Sequence, residues 1–462
     1  MCADLIKDQI DHNLDKLENE CRRSPLFAWS NGLTELDYTP PILYISPTNA
    51  CSHSCRICAH KTAMRRGVRD DGERQRGLMD WDRFTAIADQ VPEDVTRIYF
   101  YKHGEPLLHP RYLEMLQYLR SKVGTRVEIA LSTNATHLKE GMFPVLLDNL
   151  NVILFSIYGL DRQTFKELHG RDDFEPIMAK IKKFHEFYLG YDKPKSEVYF
   201  NFVRQEGNAD VSDEEVESFF VENFPAFHNA IHGVYNFGGR ISEGNYQVLD
   251  EADKSFYPVC IFPFVVTTVL WDGFISHCMV DVEELVHNGR VPEENLKELV
   301  NHPGLIDYRR ASLEGDFQTL AQRRLGCGEC NWLFHLRAQG LNYFTLRTKQ
   351  IAKSFELSGL DDLKLSGEEY LYSGLLNYLR GELDQALGNF VAAQEIITAP
   401  EIRSKAVEWE AFVRAVYRRR RHLERWERAF NEEGLSIRSI FKTTYFETTY
   451  DGRQKRIDKH SF

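Results

Sequence analysis

Seven of the nine cysteines in the 462-residue chain fall into two groups. The first is tight: Cys51-Ser-His-Ser-Cys55-Arg-Ile-Cys58. The second is dispersed, with Cys260, Cys278 and the pair Cys327-Gly-Glu-Cys330. In a reducing compartment, clustered cysteines serve as metal ligands or redox groups. A structural zinc site closes on four ligands, so the tight group would need His53 or His60 to complete a Cys3His set. Alternatively, three thiolates hold three irons of a cubane cluster and leave the fourth open to a substrate or cofactor. Spacing leaves both readings standing. The second group supplies four thiolates, enough to saturate a zinc ion or a cluster. A zinc ribbon carries two tight knuckles, whereas Cys260 and Cys278 are separated by a hairpin pattern.

The elements that must position these groups follow from the hydrophobic periodicity. Apolar strand patterns cover 42–46, 96–101, 127–132, 152–157 and 198–203, and helical patterns cover 81–90, 111–123, 138–148, 174–187 and 213–224. Repeated strand–helix units with short connections imply a parallel sheet with helices outside it. Reactive residues then collect on the loops after the C-terminal strand ends. The tight cysteine group, Lys102-His103-Gly104-Glu105-Pro106, Thr133-Asn134 and Tyr158-Gly159 all sit at such ends. The expected class is α/β, a partial (βα)6 barrel over residues 41–240. An N-terminal helical segment precedes it (1–40). A small α+β domain around the second cysteine group follows (241–340), with an Asp272-Gly273 hairpin turn. The last part (341–462) reads as a helical extension containing one TPR-like repeat at Tyr370, Gly374, Gly381, Ala386, Phe390 and Ala393.

Cys51-x3-Cys55-x2-Cys58 after a first strand resembles the signature of the radical S-adenosylmethionine (SAM) superfamily. Further residues extend the resemblance over roughly residues 40–340. Gly104-Glu105-Pro106 resembles the segment that binds the methionine amino group. Ser132-Thr133-Asn134 resembles the one near the SAM carboxylate and ribose. Ser156-Ile157-Tyr158-Gly159, followed by His169-Gly170-Arg171, is similar to the Ser-Ile-Asp-Gly region of larger members. The resemblance implies a [4Fe–4S] cluster on Cys51, Cys55 and Cys58. It places SAM against Gly104, Glu105, Ser132, Asn134, Ser156 and Arg171, with Arg171 on the carboxylate. It also implies reductive cleavage of SAM to a 5′-deoxyadenosyl radical that abstracts hydrogen from a substrate. Two departures stand out: Ile57 where an aromatic residue is usual, and His103 where a small one is. Gly273-x4-Cys278 followed by Asp281 resembles the twitch/SPASM extensions. That implies an auxiliary [4Fe–4S] cluster on Cys260, Cys278, Cys327 and Cys330, able to accept an electron, with Gly238-Gly239-Arg240 as the bridging segment.

These implications lead to an oxidoreductase acting on a small sugar- or cyclitol-like metabolite, fed by an electron donor such as flavodoxin or ferredoxin. A maturase of ribosomally made peptides is the alternative within the class. A zinc-stabilised binding protein is the alternative outside it. The composition sets outer bounds. With 57 basic and 69 acidic residues, the net charge of −12 argues against a general nucleic-acid binder. The stretch 1–20 carries six acidic residues and no apolar core, so it does not read as a secretory signal. An odd cysteine count points to the cytoplasm, and no apolar run is long enough for a membrane span. Residues 401–462 hold fifteen basic and ten acidic residues, including Arg418-Arg419-Arg420-Arg421. A solvated helix face accounts for that run. Tyr99, Tyr101, Tyr158 and Tyr235 lie near strand ends, where core packing is the ordinary role.

Overall fold

The computed structural model describes residues 2–58, 76–192, 196–234, 237–238, 241, 260–282, 288–322, 326–330, 348–357, 360, 367–397, 399–432, 444–448 and 454–457. Tyr235, Gly239, Arg240, His60 and most of the Arg-rich loop before Gly77 lie outside them, as do the side chains of Arg418 to Arg421.

The chain opens with α1 (Cys2–Arg22) and α2 (Pro25–Asn31). Ser24 caps α2 by accepting from the Phe27 amide, and Pro25 occupies the first turn, where its missing N–H costs nothing. The units β1 (Ile42–Ile45), α3 (Trp81–Asp89), β2 (Arg97–Tyr99), α4 (Tyr112–Val123), β3 (Glu128–Thr133), α5 (Phe143–Asn149) and β4 (Val152–Ser156) follow. Next come α6 (Arg162–His169), α7 (Phe174–Leu189), β5 (Glu197–Arg204), α8 (Asp213–Asn223) and β6 (His228–Gly233). Asp161 caps α6 by accepting from the amides of Gln163 and Thr164, and a Ser212/Glu215 capping box starts α8.

All neighbours from β1 to β6 pair in parallel. Alternation along each strand separates two faces. Leu43, Ile45, Ile98, Ile129, Leu131, Ile153, Phe155, Val198, Phe200, Phe202 and Ile231 belong to the core cluster that the outer helices share. The opposite face carries Tyr44, Arg97, Tyr99, Glu128, Ser132, Ser156, Glu197, Tyr199, Asn201 and His232, and it lines a cavity. The inward face encloses a cavity of mixed lining, in which these polar and aromatic side chains alternate with Ile42, Val152, Leu154, Val203 and Val266.

The architecture is α/β with a parallel barrel-like sheet, as expected, but it runs beyond six strands. After α9 (Phe262–Val265), β7 (Val266–Val269) pairs in parallel with β1, and β8 (Ile275–Ser276) folds back on it. The Asp-Gly hairpin is present, with Gly273 at φ +90°. Its first strand extends the main sheet instead of founding a separate one. The C-terminal extension is likewise not wholly helical. After α10 (Leu296–Leu299), α11 (Pro303–Glu314), α12 (Phe317–Gln322), α13 (Thr348–Ser354), α14 (Gly367–Arg380), α15 (Leu383–Ile396) and α16 (Pro400–Glu432), the strands β9 (Thr444–Thr448) and β10 (Gln454–Ile457) join the far edge beside β6. The described residues thus give the strand order β10-β9-β6-β5-β4-β3-β2-β1-β7-β8.

The TPR-like residues form the hairpin of α14 and α15, turned at Gly381 (φ +81°). Gly374 lets Phe390 approach so closely that a Cβ there would lie 2.5 Å from its ring. This hairpin does not stand alone. Its apolar face joins α1, α2, α9 and α16 in one cluster centred on Trp409, which is fully buried. Trp409 meets Phe27, Tyr378, Phe390 and Phe412. The cap is thus built from both ends of the chain. Trp409→Ala should destabilise it by about 3–5 kcal/mol, read as a lower urea midpoint and faster proteolysis within α14 to α16.

Candidate functional site

The cysteine loop leaves β1 at Ser46 and is held at several points. Thr48 donates its hydroxyl to the Gly77 carbonyl (2.7 Å) and accepts from the Ala50 amide (3.0 Å). Asn49 accepts from the Gly77 amide (2.8 Å). Farther along, the amides of Ser54 and Arg56 donate to the carbonyls of His169 (3.1 Å) and Leu168 (2.9 Å). Those are last-turn carbonyls of α6, which lack partners within their own helix. Gly170 ends the helix at φ +65°, and a Cβ there would lie 2.8 Å from the Ser54 carbonyl. The α6 terminus is thus the seat of the loop.

Cys51, Cys55 and Cys58 are half-buried, and all three line the cavity. Tyr158 lines the same cavity, and burial, then the thiols of Cys55, Cys58 and Cys51, push its hydroxyl up. Cys51 sulfur accepts from the His53 amide (3.4 Å) and from Asn134 Nδ2 (3.7 Å).

Gly104 and Glu105 bind the loop to the sheet. Gly104 sits at φ +79°, and a Cβ would lie 2.6 Å from the Ala50 carbonyl. The Glu105 amide donates to Ala50 O (2.8 Å). The Glu105 carboxylate, 1% exposed, accepts from Thr133 Oγ1 (2.6 Å), the Asn134 amide (2.8 Å) and the Leu107 amide (3.1 Å). Glu105 therefore braces β3 with its side chain. Ser132 and Ser156 face each other across β3 and β4, with their hydroxyl oxygens 3.3 Å apart, and both line the cavity with Asn134.

Arg171 lies elsewhere. Its Nε is 2.7 Å from Asp173 Oδ2, its Nη1 donates to the Ser52 carbonyl (3.3 Å), and it is not among the cavity-lining residues. Asp173 engages the guanidinium on the side of the loop away from the cavity lining. Ile57 packs with Val203, Val234, Ile241 and Val282. Tyr44 and Tyr99 stack at 4.6 Å, and both line the cavity together with Tyr101 and Tyr158.

The second cysteine group also converges. Burial dominates, and the thiols of Cys327, Cys278, Cys260 and Cys330 together push the Tyr308 hydroxyl up. Burial raises the Cys278 thiol to about 11. Val280 N–H donates to Cys278 sulfur (3.4 Å). Gly238 lies against Gly326, the neighbour of Cys327, with no room for a Cβ on either. This group adjoins the same cavity, since Met279, Val280 and Val282 line it. Lys102 Nζ donates to Asp281 O (2.7 Å), and His103 Nε2 lies 3.0 Å from the same oxygen. The loop that carries Gly104 is thereby joined to the second group. Sequence reasoning missed Lys102, Asp173 and Tyr308. Only Asp173, two residues after Arg171, offered a signal in the chain.

The cavity measures about 660 Å³. At the N-terminal strand ends Arg97 pairs with the exposed Glu128 and Tyr199 donates to the exposed Glu197 (2.7 Å), while farther along the strands His232 meets Asn201 (2.8 Å). Three soft thiols at its mouth and polar strand residues within suit a metal-bound reactive group next to a hydrogen-bonding substrate.

Comparison with known proteins agrees with this geometry. Residues 45–191 match the family described as the Radical SAM superfamily. That family consists of enzymes that use a [4Fe–4S] cluster and SAM, and the matched residues include Cys51, Cys55, Cys58, Gly104 and Glu105. A stretch of 118 residues, 25% of this chain, is 28% identical to the tungsten-containing aldehyde ferredoxin oxidoreductase cofactor-modifying protein of Pyrococcus furiosus. That stretch spans 30% of the relative's length. Among solved structures, BtrN in complex with AdoMet and 2-DOIA aligns at 15% identity and TM-score 0.42, over 64% of this chain and 94% of that one. SuiB of Streptococcus suis, bound to the precursor peptide SuiA, aligns at 16% and 0.46, over 62% and 70%. No helix among the described residues is long and apolar enough to cross a membrane.

Burial pushes the Glu105 carboxyl up to about 7 despite its three donors. A folded value above the ordinary 4.5 means that the folded state holds this proton more tightly. The stability it contributes is full below pH 4.5 and is lost as the pH rises to about 7. The melting temperature of Glu105→Gln should therefore fall less steeply than wild type across that window. Parallel pH profiles of the two would refute the assignment.

Proposed function

We propose that the chain is a radical SAM oxidoreductase acting on a small, hydroxylated, sugar- or cyclitol-like metabolite. The observation that carries this reading is the set of three thiols lining one barrel cavity, with Met279 and Val280, the neighbours of Cys278, on its wall. When bound, the cluster and SAM supply a 5′-deoxyadenosyl radical that takes hydrogen from the substrate.

Cys51, Cys55 and Cys58 would hold the cluster. The donor set fits, because all three ligands are soft and the amides at Cys51 stabilise negative charge on sulfur. Gly104 and Glu105 would meet the amino end of SAM, with Ser132, Asn134 and Ser156 along the rest. Ile57 would pack on the base. The tyrosines and Asn201 that line the cavity would hold hydroxyl groups. Cys260, Cys278, Cys327 and Cys330 would ligate an auxiliary iron–sulfur cluster that accepts the second electron. Flavodoxin or ferredoxin would supply the first.

Anaerobic reconstitution should give a brown protein with roughly eight irons. Adding SAM and dithionite should yield 5′-deoxyadenosine. Cys58→Ala should abolish that product, while Cys327→Ala should retain part of it and lose substrate oxidation. A colourless protein binding two zinc ions would instead favour a zinc-stabilised binding protein. For the substrate, deuterium should move from a labelled aminocyclitol or sugar alcohol into deoxyadenosine. Transfer from a peptide alone would reassign the substrate class.

A further inference from the structure

A buried chain of polar groups ends on Cys55, and the proposed chemistry gives it no role. His53 and His169 are 1% and 0% exposed. Their Nδ1 atoms are 3.3 Å apart, and His169 Nδ1 is 3.7 Å from Cys55 sulfur. His169 Nε2 accepts from the Tyr158 backbone N–H (3.1 Å). An amide N–H can only donate, so Nε2 carries no proton. The ring is therefore neutral, and its single proton is on Nδ1, facing both Cys55 sulfur and His53 Nδ1. On the other side, His53 Nε2 lies 2.8 Å from Thr136 Oγ1 and 3.4 Å from Asp173 Oδ2. The carboxylate favours the proton on that nitrogen and leaves His53 Nδ1 as an acceptor. The His169 proton is thus shared between a sulfur and an imidazole nitrogen. The ring is clamped between Phe165 (4.0 Å) and Tyr158 (4.6 Å), so it cannot turn away.

We propose that His169 is a positioning residue that donates an N–H···S hydrogen bond to Cys55 and thereby makes the reduction potential of the bound cluster less negative. The inference rests on Cys55 being a cluster ligand. Reduction adds negative charge that spreads onto the thiolate sulfurs, and a donor aimed at one of them stabilises the reduced form more than the oxidised form. His53 competes for the same proton and moderates the effect.

The test is an EPR-monitored redox titration of the reconstituted full-length protein, following the signal that changes when SAM is added. His169→Phe keeps the stacked ring and removes the donor. The reduced-to-oxidised ratio at a fixed potential should drop about tenfold, a shift of about 59 mV to more negative potential for a one-electron couple. His53→Phe removes the competing acceptor and should shift the potential the other way. If His169→Phe takes up no iron, His53→Phe decides the question alone. An unmoved or oppositely moved potential in the variants that hold the cluster overturns this inference and leaves the proposed function standing. A wild-type protein without any cubane overturns both.

Discussion

The site depends on one buried carboxylate. Glu105 joins three consecutive strand-end loops through a small set of hydrogen bonds. Its amide holds the loop after β1 at Ala50, and its side chain takes the donors at the end of β3. Left unpaired, each of those buried donors would cost about 1–3 kcal/mol. The close approach of Gly104 to Ala50 makes the arrangement possible. The cysteine loop is thus fixed from below by the sheet and from the side by the α6 terminus. Three thiols on an eight-residue loop could adopt many arrangements, and these two anchors select one.

The same economy appears in the strands. Each gives most of its aliphatic and phenylalanine residues to the outer helices, and its tyrosines and serines, with a few aliphatics such as Val152 and Leu154, to the interior. The inward face thereby leaves hydrogen-bonding groups beside the cysteine loop. The second cysteine group borders the same space because β7 extends the sheet beside β1.

The barrel was legible in the chain as far as apolar alternation carried it. The strands β1 to β5 and most of their helices lie near the expected positions. The strand β6, His-Asn-Ala-Ile-His-Gly, escaped because it holds only two apolar side chains. Its pairing with β5 rests on backbone hydrogen bonds that composition does not show. The hairpin at Asp272-Gly273 was readable, since the turn is local. Its addition to the main sheet was not, because β1 and β7 are more than two hundred residues apart. The contact of Arg171 with Asp173 was likewise not readable, since a charge two residues away is as easily turned aside as paired.

The chain alone settles what is local. Short spacings keep Cys51, Cys55 and Cys58 together, cap residues start the helices, and period-two alternation gives each strand a buried and a functional face. These follow from bond geometry and steric limits within a few residues. Folding in three dimensions decided which distant groups meet: Asn134 with Cys51, His169 with Cys55, and Cys260 and Cys278 with Cys327 and Cys330. Such meetings depend on how whole elements pack. The packing energy is spread over many apolar contacts, so no single residue announces its partner.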